Sequence, residues 1–232
     1  MMKVLLLDIE GTTTSISFVY DVLFPFARRA LEATFAGAGI LVARWRDREI
    51  QDAVAKMAGG AGTHSPSAAA GAALALMNAD VKDTGLKILQ GLIWQTGYER
   101  GEIRGHVYAD VSPAFERVTA AGVRVAIYSS GSVHAQRLIF GHSEAGDLGH
   151  YISGYFDTTT GPKKEAASYV AIARALGVEP GEIVFCSDNL DEVRAALAAG
   201  LPAWVAVRPG NPALPSDHGL PELTTLAQIP LD

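Results

Sequence analysis

"LLLDIEGTTTSI", residues 5–16, is the stretch from which the fold is read. Three leucines followed by a polar, Gly-containing run describe a β-strand buried on both faces that ends in a loop, the signature of a strand inside a parallel sheet. Asp8 then stands at the strand's carboxyl end, the edge where open α/β sheets bind their ligands. Side chains alternate along extended chain, so Asp8 and Glu10 share a face and Ile9 turns away. Two acids on one face repel unless a cation or a proton transfer reconciles them. For a lone D-x-E, an acidic turn that caps the next element is the competing explanation.

Moving outward, three more stretches match the first strand: "VRVAIYSS" (123–130), "EIVFCSD" (182–188) and "AWVAV" (203–207). Helices are expected between them. One opens at Ser112 and Pro113 and closes at Gly122, one runs from Ser132 to Phe140, one from about Lys163 to Leu176, and one ends near Gly200. Strands alternating with helices predict an α/β fold, a doubly wound parallel sheet of Rossmann type. Between the first strand and this series no strand signal arises. Residues 16–37, with Pro25 and Gly37 near the start and end of turns, read as helical, as does 42–58; "GGAGTHSPS" (59–67) reads as a loop and the alanine-rich run from Ser67 to Met77 as a weak helix. "DTGLKILQGLIWQTGY" (83–98) aligns Leu86, Leu89, Leu92 and Ile93 in one stripe behind an Asp83 cap. Residues 1–17 and 109–232 are therefore expected to form the α/β core, and 18–108 an inserted helical domain. The tail from Arg208 reads as proline-rich surface chain.

The bulk composition narrows the function classes. With 232 residues, 49% of them hydrophobic, the chain can bury a large core. A net charge of −6 without a lysine or arginine run leaves no electrostatic footprint for nucleic acid or an anionic membrane. No apolar run has spanning length and no cleavable leader pattern opens the chain, so a cytoplasmic location is expected. The single cysteine, Cys186, excludes an internal disulfide and reads as a small buried side chain. The six histidines show no zinc-ligand spacing.

Parallel strands present their carboxyl ends along one edge, so polar residues far apart in sequence can meet there. The first strand delivers Asp8 and Glu10, the second Ser129 and Ser130, the third Ser187 and Asp188, and a fourth stretch adds Lys163. These types supply a carboxylate nucleophile, a second carboxylate for proton transfer, hydroxyl and amide donors, a fixed cation and acids for a metal.

This order of D-x-E, S-S-G, lysine and S-D with a further acid resembles the haloacid dehalogenase superfamily of phosphotransferases. "DIEGTTTSISFVYDVLFPFA", "KDTGLKILQGLIWQTGY", "YSSGSVHAQRLIFGHSEAGDL", "GYFDTTTGPKKEAASY" and "VRPGN" resemble, more narrowly, its enolase-phosphatase family. The resemblance covers nearly all of the chain except roughly 40–65 and the extreme tail. It implies that Asp8 attacks phosphorus, that Glu10 moves the proton, that Ser129, Ser130 and Gly131 hold phosphate oxygens, and that Lys163 neutralises the charge. It also implies Mg²⁺ on Asp8, the Glu10 backbone carbonyl and Asp188, a helical cap, a small phosphorylated diketone as substrate, and a monomer. In "SDNLDEV" the residues Asn189, Leu190 and Asp191 separate Asp188 from Glu192; Glu192 is expected either to bind a metal-held water or to lie on an exposed helical face. Lys164 reads as a solvated charge, Trp94 as core, and His106 as a hinge residue or a base; Lys82 and Gln90 carry only the resemblance. The alternatives are a phosphatase for another small ester, without enolisation, and a non-catalytic phosphometabolite-binding module. In such a module one of Asp8, Glu10, Lys163 or Asp188 would be expected to be missing, and all four are present.

Overall fold

The computed structural model describes residues 1–58 and 64–231. The opening apolar run forms strand β1 (Val4–Leu7), with all four side chains buried. It lies between β2 (Arg124–Tyr128) and β4 (Ile183–Ser187), Leu7 pairing with Ile127 on one side and Cys186 on the other. β3 (Ile152–Phe156) flanks β2, while β5 (Ala203–Ala206) and β6 (Glu222–Leu223) extend the sheet beyond β4. Every pairing is parallel and the order is β3-β2-β1-β4-β5-β6, the doubly wound arrangement the alternation of strands and helices predicts.

Alternation sorts the strand residues onto two buried faces. Val4, Leu6, Ala126 and Phe185 cluster with Tyr169 and Ile172 of α8 (Ala166–Leu176) and with Val193 and Ala196 of α9 (Leu190–Ala198). Leu5, Leu7, Val125 and Ile127 take the opposite face and are equally buried. Burial on both faces is why these strands read as continuous aliphatic runs. On the sheet's flanks, α6 (Val111–Ala120) and α7 (Val133–Gly141) bring Phe115 and Phe140 together, ring centroids 6.0 Å apart.

The structure corrects the reading at the sheet's edges. β3 gave no sequence signal because Ser153 and Gly154 interrupt its apolar pattern, and only its first residue is fully buried. The tail is no surface linker: β6 pairs with β5, and Leu223, Leu226 and Ile229 are buried. Arg117 pins it further by donating to the carbonyls of Leu226 and Ile229, both at 3.1 Å. α8 begins at Ala166 rather than near Lys163, which stands in the preceding turn.

The chain divides into two compact units, Met1–Val19 with Arg104–Asp232, and Tyr20–Ile103. The second unit contains no strand among its described residues. A π-helical segment (Phe18–Leu23) leads to α1 (Phe24–Glu32), with Pro25 in its first turn, and Gly37 closes the following 3-10 turn with φ 73°. α2 (Ile40–Ala43) and α3 (Arg48–Lys56) replace the single helix expected over 42–58. The break falls at Arg44–Asp47, where Asp47 turns extended and its carboxylate accepts from Arg44 Nε rather than capping α3. Of the expected loop over 59–67, residues 59–63 lie outside the described residues; it ends at Ser65, which caps α4 (Pro66–Asn78). α5 (Thr84–Glu99) starts at the expected Asp83 cap, Oδ1 accepting from the Leu86 amide at 2.8 Å and Oδ2 from that of Ala58 at 2.9 Å. Gly85 sits where a Cβ would lie 2.3 Å from the Met57 nitrogen, so only glycine admits α3 this close. Leu31, Leu41, Ile50, Ala70, Leu89 and Ile93 form this unit's own core, with Trp94 packed against it and donating Nε1–H to the Leu23 carbonyl.

Candidate active site

Asp8 is the residue at which β1 leaves the sheet. Its amide still donates to the Cys186 carbonyl of β4 at 3.0 Å, so its backbone is fixed by the sheet, and the residue is only 3% exposed. Oδ1 accepts from the Ile9 amide at 2.8 Å and lies 2.6 Å from Lys163 Nζ; Oδ2 accepts from the Ser187 hydroxyl at 3.0 Å. A carboxylate at a strand end is thus locked by an amide, an ammonium and a hydroxyl.

Lys163 reaches it from the turn before α8. Three hydroxyls hold three consecutive carbonyls of that turn: Tyr128 donates to Gly161, Ser168 to Pro162 and Tyr169 to Lys163. The ammonium is buried between Asp8 and Glu192 Oε2, the latter at 2.7 Å. Burial alone would depress the lysine, but the two carboxylates outweigh it and hold the group above the ordinary lysine range. Lys163 is therefore a permanent cation. Lys164, one residue on, is exposed and pairs at 2.9 Å with the exposed Asp191, the solvated role expected of it.

Glu192 departs from one of its two expectations: it does not lie on an exposed helical face but is buried, paired with Lys163, and shares with Asp8 the proton of the Ser187 hydroxyl, 2.8 Å from its Oε2. Burial and then the charge of Asp8 push its carboxyl up to about 7.

Glu10 and Asp188 complete the acidic group. Burial first and Asp8 second raise the Glu10 carboxyl above its usual range, and Oε2 accepts from the Ser129 hydroxyl at 3.4 Å. Asp188 follows the last residue of β4; burial, Asp8 and Glu192 push it up to about 7. The Ser129 hydroxyl also accepts from the Gly131 amide at 3.1 Å, while Ser130 is exposed beside it. Ser132 is the cap of α7, accepting from the Ala135 amide. The sheet edge thus brings Asp8, Glu10, Lys163, Ser129, Gly131 and Asp188 into one neighbourhood, with Ser130 at its exposed side.

The turn after Asp8 carries residues the sequence did not mark. Gly11 adopts φ 67°, and a Cβ there would lie 2.3 Å from Asp188 Oδ2, so the carboxylate rests directly on the turn's backbone. Each threonine has its own partner. Thr12 Oγ1 accepts from the Asp188 amide at 3.1 Å, Thr13 Oγ1 donates to the Asp8 carbonyl, and Thr14 Oγ1 donates to the His106 carbonyl at 2.6 Å. His106 Nδ1 accepts from the Ser15 amide at 3.1 Å, which makes the ring a tether between the two chain segments that flank the helical unit. Cys186 is fully buried and its thiol is pushed up to about 12 by desolvation, the inert side chain expected.

Counting acceptors along the turn isolates one atom. The carbonyls of Asp8, Ile9, Gly11, Thr12, Thr13 and Thr14 each accept a hydrogen bond, from Thr13 Oγ1, the amides of Thr12 to Thr14, Asn211 Nδ2, Arg208 Nε, the Tyr108 amide and the Gly11 amide respectively. Among the described residues no donor reaches the Glu10 carbonyl. No group of three His, Cys, Asp or Glu side chains among them is arranged to hold a metal. No helix of the described residues is long and apolar enough to cross a membrane.

A parallel sheet that places an aspartate, a buried lysine and a second acid cluster at its carboxyl edge defines a class of hydrolases, and the chain belongs to it: the haloacid dehalogenase-like hydrolase family matches residues 2–200. Within that class it is similar to enolase-phosphatase E1 of Synechococcus elongatus, 50% identical over 213 residues that cover 89% of each chain. Enolase-phosphatase E1 of Drosophila melanogaster is 47% identical over 93% of this chain and 87% of its own. Among solved structures, the UTR4 protein of Saccharomyces cerevisiae superposes with a TM-score of 0.83 at 35% identity, over 99% of this chain and 100% of that one. The L-2-haloacid dehalogenase PA0810 shares the fold at a TM-score of 0.57 and 19% identity, over 98% of this chain and 96% of that one.

Proposed function

We propose that the chain is a Mg²⁺-dependent enolase-phosphatase that converts 2,3-diketo-5-methylthiopentyl-1-phosphate to its enol phosphate and then, through an aspartyl-phosphate, to the acireductone and phosphate. The observation that carries this reading is the pairing of a fully fixed carboxylate, Asp8, with a neighbouring carboxyl, Glu10, held toward its protonated form. One acid fixed by an amide, an ammonium and a hydroxyl beside a second, buried acid lets one site supply both a nucleophile and a general acid.

In this reading an Asp8 oxygen forms a bond to phosphorus as the bond to the leaving oxygen breaks, and Glu10 gives that oxygen its proton. Water then attacks the same phosphorus, Glu10 takes up a proton, and the Asp8–phosphorus bond breaks to release phosphate. Lys163 balances the negative charge of Asp8 and the phosphoryl group. The Ser129 hydroxyl and the amides of Ser130 and Gly131, ahead of α7, bind phosphate oxygens. Enolisation moves a proton from carbon to the carbonyl oxygen; Glu10, once ionised, or a residue of the helical unit takes the proton from carbon, and its return to the oxygen completes the enol and leaves the base as it began. The inserted helical unit is assigned the role of cap.

The residues present fit Mg²⁺. The ion takes hard oxygens and needs only one or two carboxylates, with water and phosphate completing its shell. Asp8, Asp188 and the undonated Glu10 carbonyl are such a set; burial first, and the neighbouring charges of Asp8 and Glu192 after it, push the Asp188 carboxyl up, and a bound cation would offset both. When bound, Mg²⁺ offsets the repulsion between Asp8 and an anionic phosphoryl group.

The test is Asp8→Asn. An amide keeps the shape but cannot form the acyl phosphate, so phosphate release falls by orders of magnitude. Enol phosphate accumulates if the variant still binds metal through Asp188 and the Glu10 carbonyl. Phosphorus and proton NMR of the reaction mixture, after metal occupancy has been checked, distinguishes the outcomes. Undiminished phosphate release refutes Asp8 as nucleophile; in the parent enzyme, phosphate without any enol signal refutes the enolase half and favours a phosphatase for another small ester.

A further inference from the structure

The stretch "VRPGN" (207–211) follows β5, yet two of its side chains return to the turn after Asp8, about 200 residues earlier in the chain. Arg208, 6% exposed, donates Nε–H to the Thr12 carbonyl at 2.9 Å. Its Nη1 donates to Asp110 Oδ2 and to the Thr224 carbonyl, both at 2.8 Å, and the guanidinium lies 4.8 Å from the centre of the Tyr108 ring. Asp110 Oδ2 in turn accepts from the Thr225 hydroxyl and the Leu226 amide. Asn211 donates both hydrogens of Nδ2, to the Gly11 carbonyl at 2.9 Å and the Ala206 carbonyl at 3.2 Å.

The turn does not need these bonds to close, because the Ile9 carbonyl already gathers the amides of Thr12, Thr13 and Thr14, and Thr14 closes on Gly11. What Arg208 and Asn211 add is the direction of two successive peptide planes, those of the Gly11 and Thr12 carbonyls. Those planes bear on the acids beside them. The Thr12 hydroxyl holds the Asp188 amide, Gly11 lies under the Asp188 carboxylate, and the carbonyl just before Gly11 is that of Glu10, the only one of residues 8–14 left without a donor among the described residues. The ion pair with Asp110 and the two main-chain acceptors offset the cost of burying the guanidinium, and a planar fork with several fixed donors suits a structural clamp.

We propose that Arg208 and Asn211 are positioning residues for the cation site: they orient the turn so that the Glu10 carbonyl and the Asp188 carboxylate face one Mg²⁺. The proposal rests on the Mg²⁺-dependent reading above. Partners that orient metal donors from behind typically govern metal affinity by about 10–100-fold. The clamp therefore acts on the metal and on kcat, not on the recognition of substrate.

Isothermal titration of the metal-free protein with MgCl₂ tests this, alongside thermal melts and steady-state kinetics. Asn211→Leu removes the donors at similar size and is expected to melt close to the parent while its Mg²⁺ dissociation constant rises about tenfold. Its lowered turnover recovers at high Mg²⁺, with KM unchanged at saturating metal. Arg208→Lys keeps the charge opposite Asp110 but not the fork, and is expected to shift the metal constant in the same direction. Asp188→Asn serves as the reference, since it removes a proposed donor. Unchanged Mg²⁺ affinity in Asp188→Asn overturns the metal reading itself. Lost affinity there, with parental affinity in both folded variants, overturns the clamp alone.

Discussion

Replacing Lys163 with methionine tests the charge arrangement of the site in a way that does not depend on turnover. The methionine fills nearly the same space, so the change is one of charge. The Asp8 and Glu192 oxygens that lay 2.6 and 2.7 Å from Nζ are left facing each other at most about 5 Å apart, a repulsion on the order of 3 kcal/mol at an effective dielectric of about 20. Removing one partner of a buried ion pair typically costs about 3–5 kcal/mol, in keeping with that figure, and for a chain of this length corresponds to a melting temperature lower by roughly 6–20 °C at pH 8. The deficit depends on pH with a defined sign. Burial and Asp8 hold folded Glu192 at about 7 even with Lys163 present, against 4.5 as the ordinary value, and without the lysine it moves higher. Stability linked to its proton is complete below about 4.5 and lost as the pH rises through the folded value. Lys163→Met should therefore recover much of its stability between pH 8 and pH 6, as Glu192 protonates beside Asp8 and Asp188. Adding Glu192→Gln should recover it at pH 8 as well. Thermal melts of the metal-free parent, single and double variants across this range provide the measurement. A Lys163→Met protein as stable as the parent at pH 8, or a deficit indifferent to Glu192→Gln, would refute the reasoning.

Two further substitutions probe the same edge from opposite sides. Gly11→Ala places a methyl group 2.3 Å from Asp188 Oδ2 at a φ of +67°, so phosphate release should fall by about 100-fold through displacement of the acid, and the left-handed backbone should cost about 1–2 kcal/mol of stability. Parental kinetics in that variant would show that Asp188 need not rest on the turn. Lys164→Ala removes an exposed ammonium paired only with the exposed Asp191, and should leave both the melting temperature and the rate of phosphate release at parental values; a large loss of rate would mean that the charge assigned to Lys163 belongs one residue later.

The parts of the molecule that could be read in advance are those that water cannot reach from either side. β1, β2, β4 and β5 are covered on both faces over most of their length, so their residues are predominantly apolar, and the acids and serines that end them stand out by contrast. β3 and β6 are covered less completely, and Ser153, Gly154 and Glu222 carry no such pattern. The meeting of Asp8, Glu10, Lys163 and Asp188 at one edge was legible because parallel strands present their carboxyl ends together. The pairing of Glu192 with Lys163 was not, since an acid in the first turn of a helix looks the same whether it faces solvent or a buried ammonium. Nor was the division of labour among Thr12, Thr13 and Thr14, which depends on directions that only the folded turn defines. Arg208 reads as part of an exposed tail because it opens a proline-rich run; its burial follows from Asp110 just ahead of α6, Thr224 just after β6 and Thr12 in the turn after Asp8, none of them adjacent to it in sequence.

The central place of β1 in the sheet also has a consequence during synthesis. Its first partner, β2, begins about 120 residues later, and at about 5–20 residues per second the ribosome needs roughly 6 to 24 seconds to deliver it. Until then Val4–Leu7 is a bare aliphatic edge, while the helical unit, whose contacts lie within residues 20–103, emerges complete. The nascent chain therefore carries an unpaired strand ahead of the helical unit, and a chaperone that binds short apolar segments would find its target in Val4–Leu7.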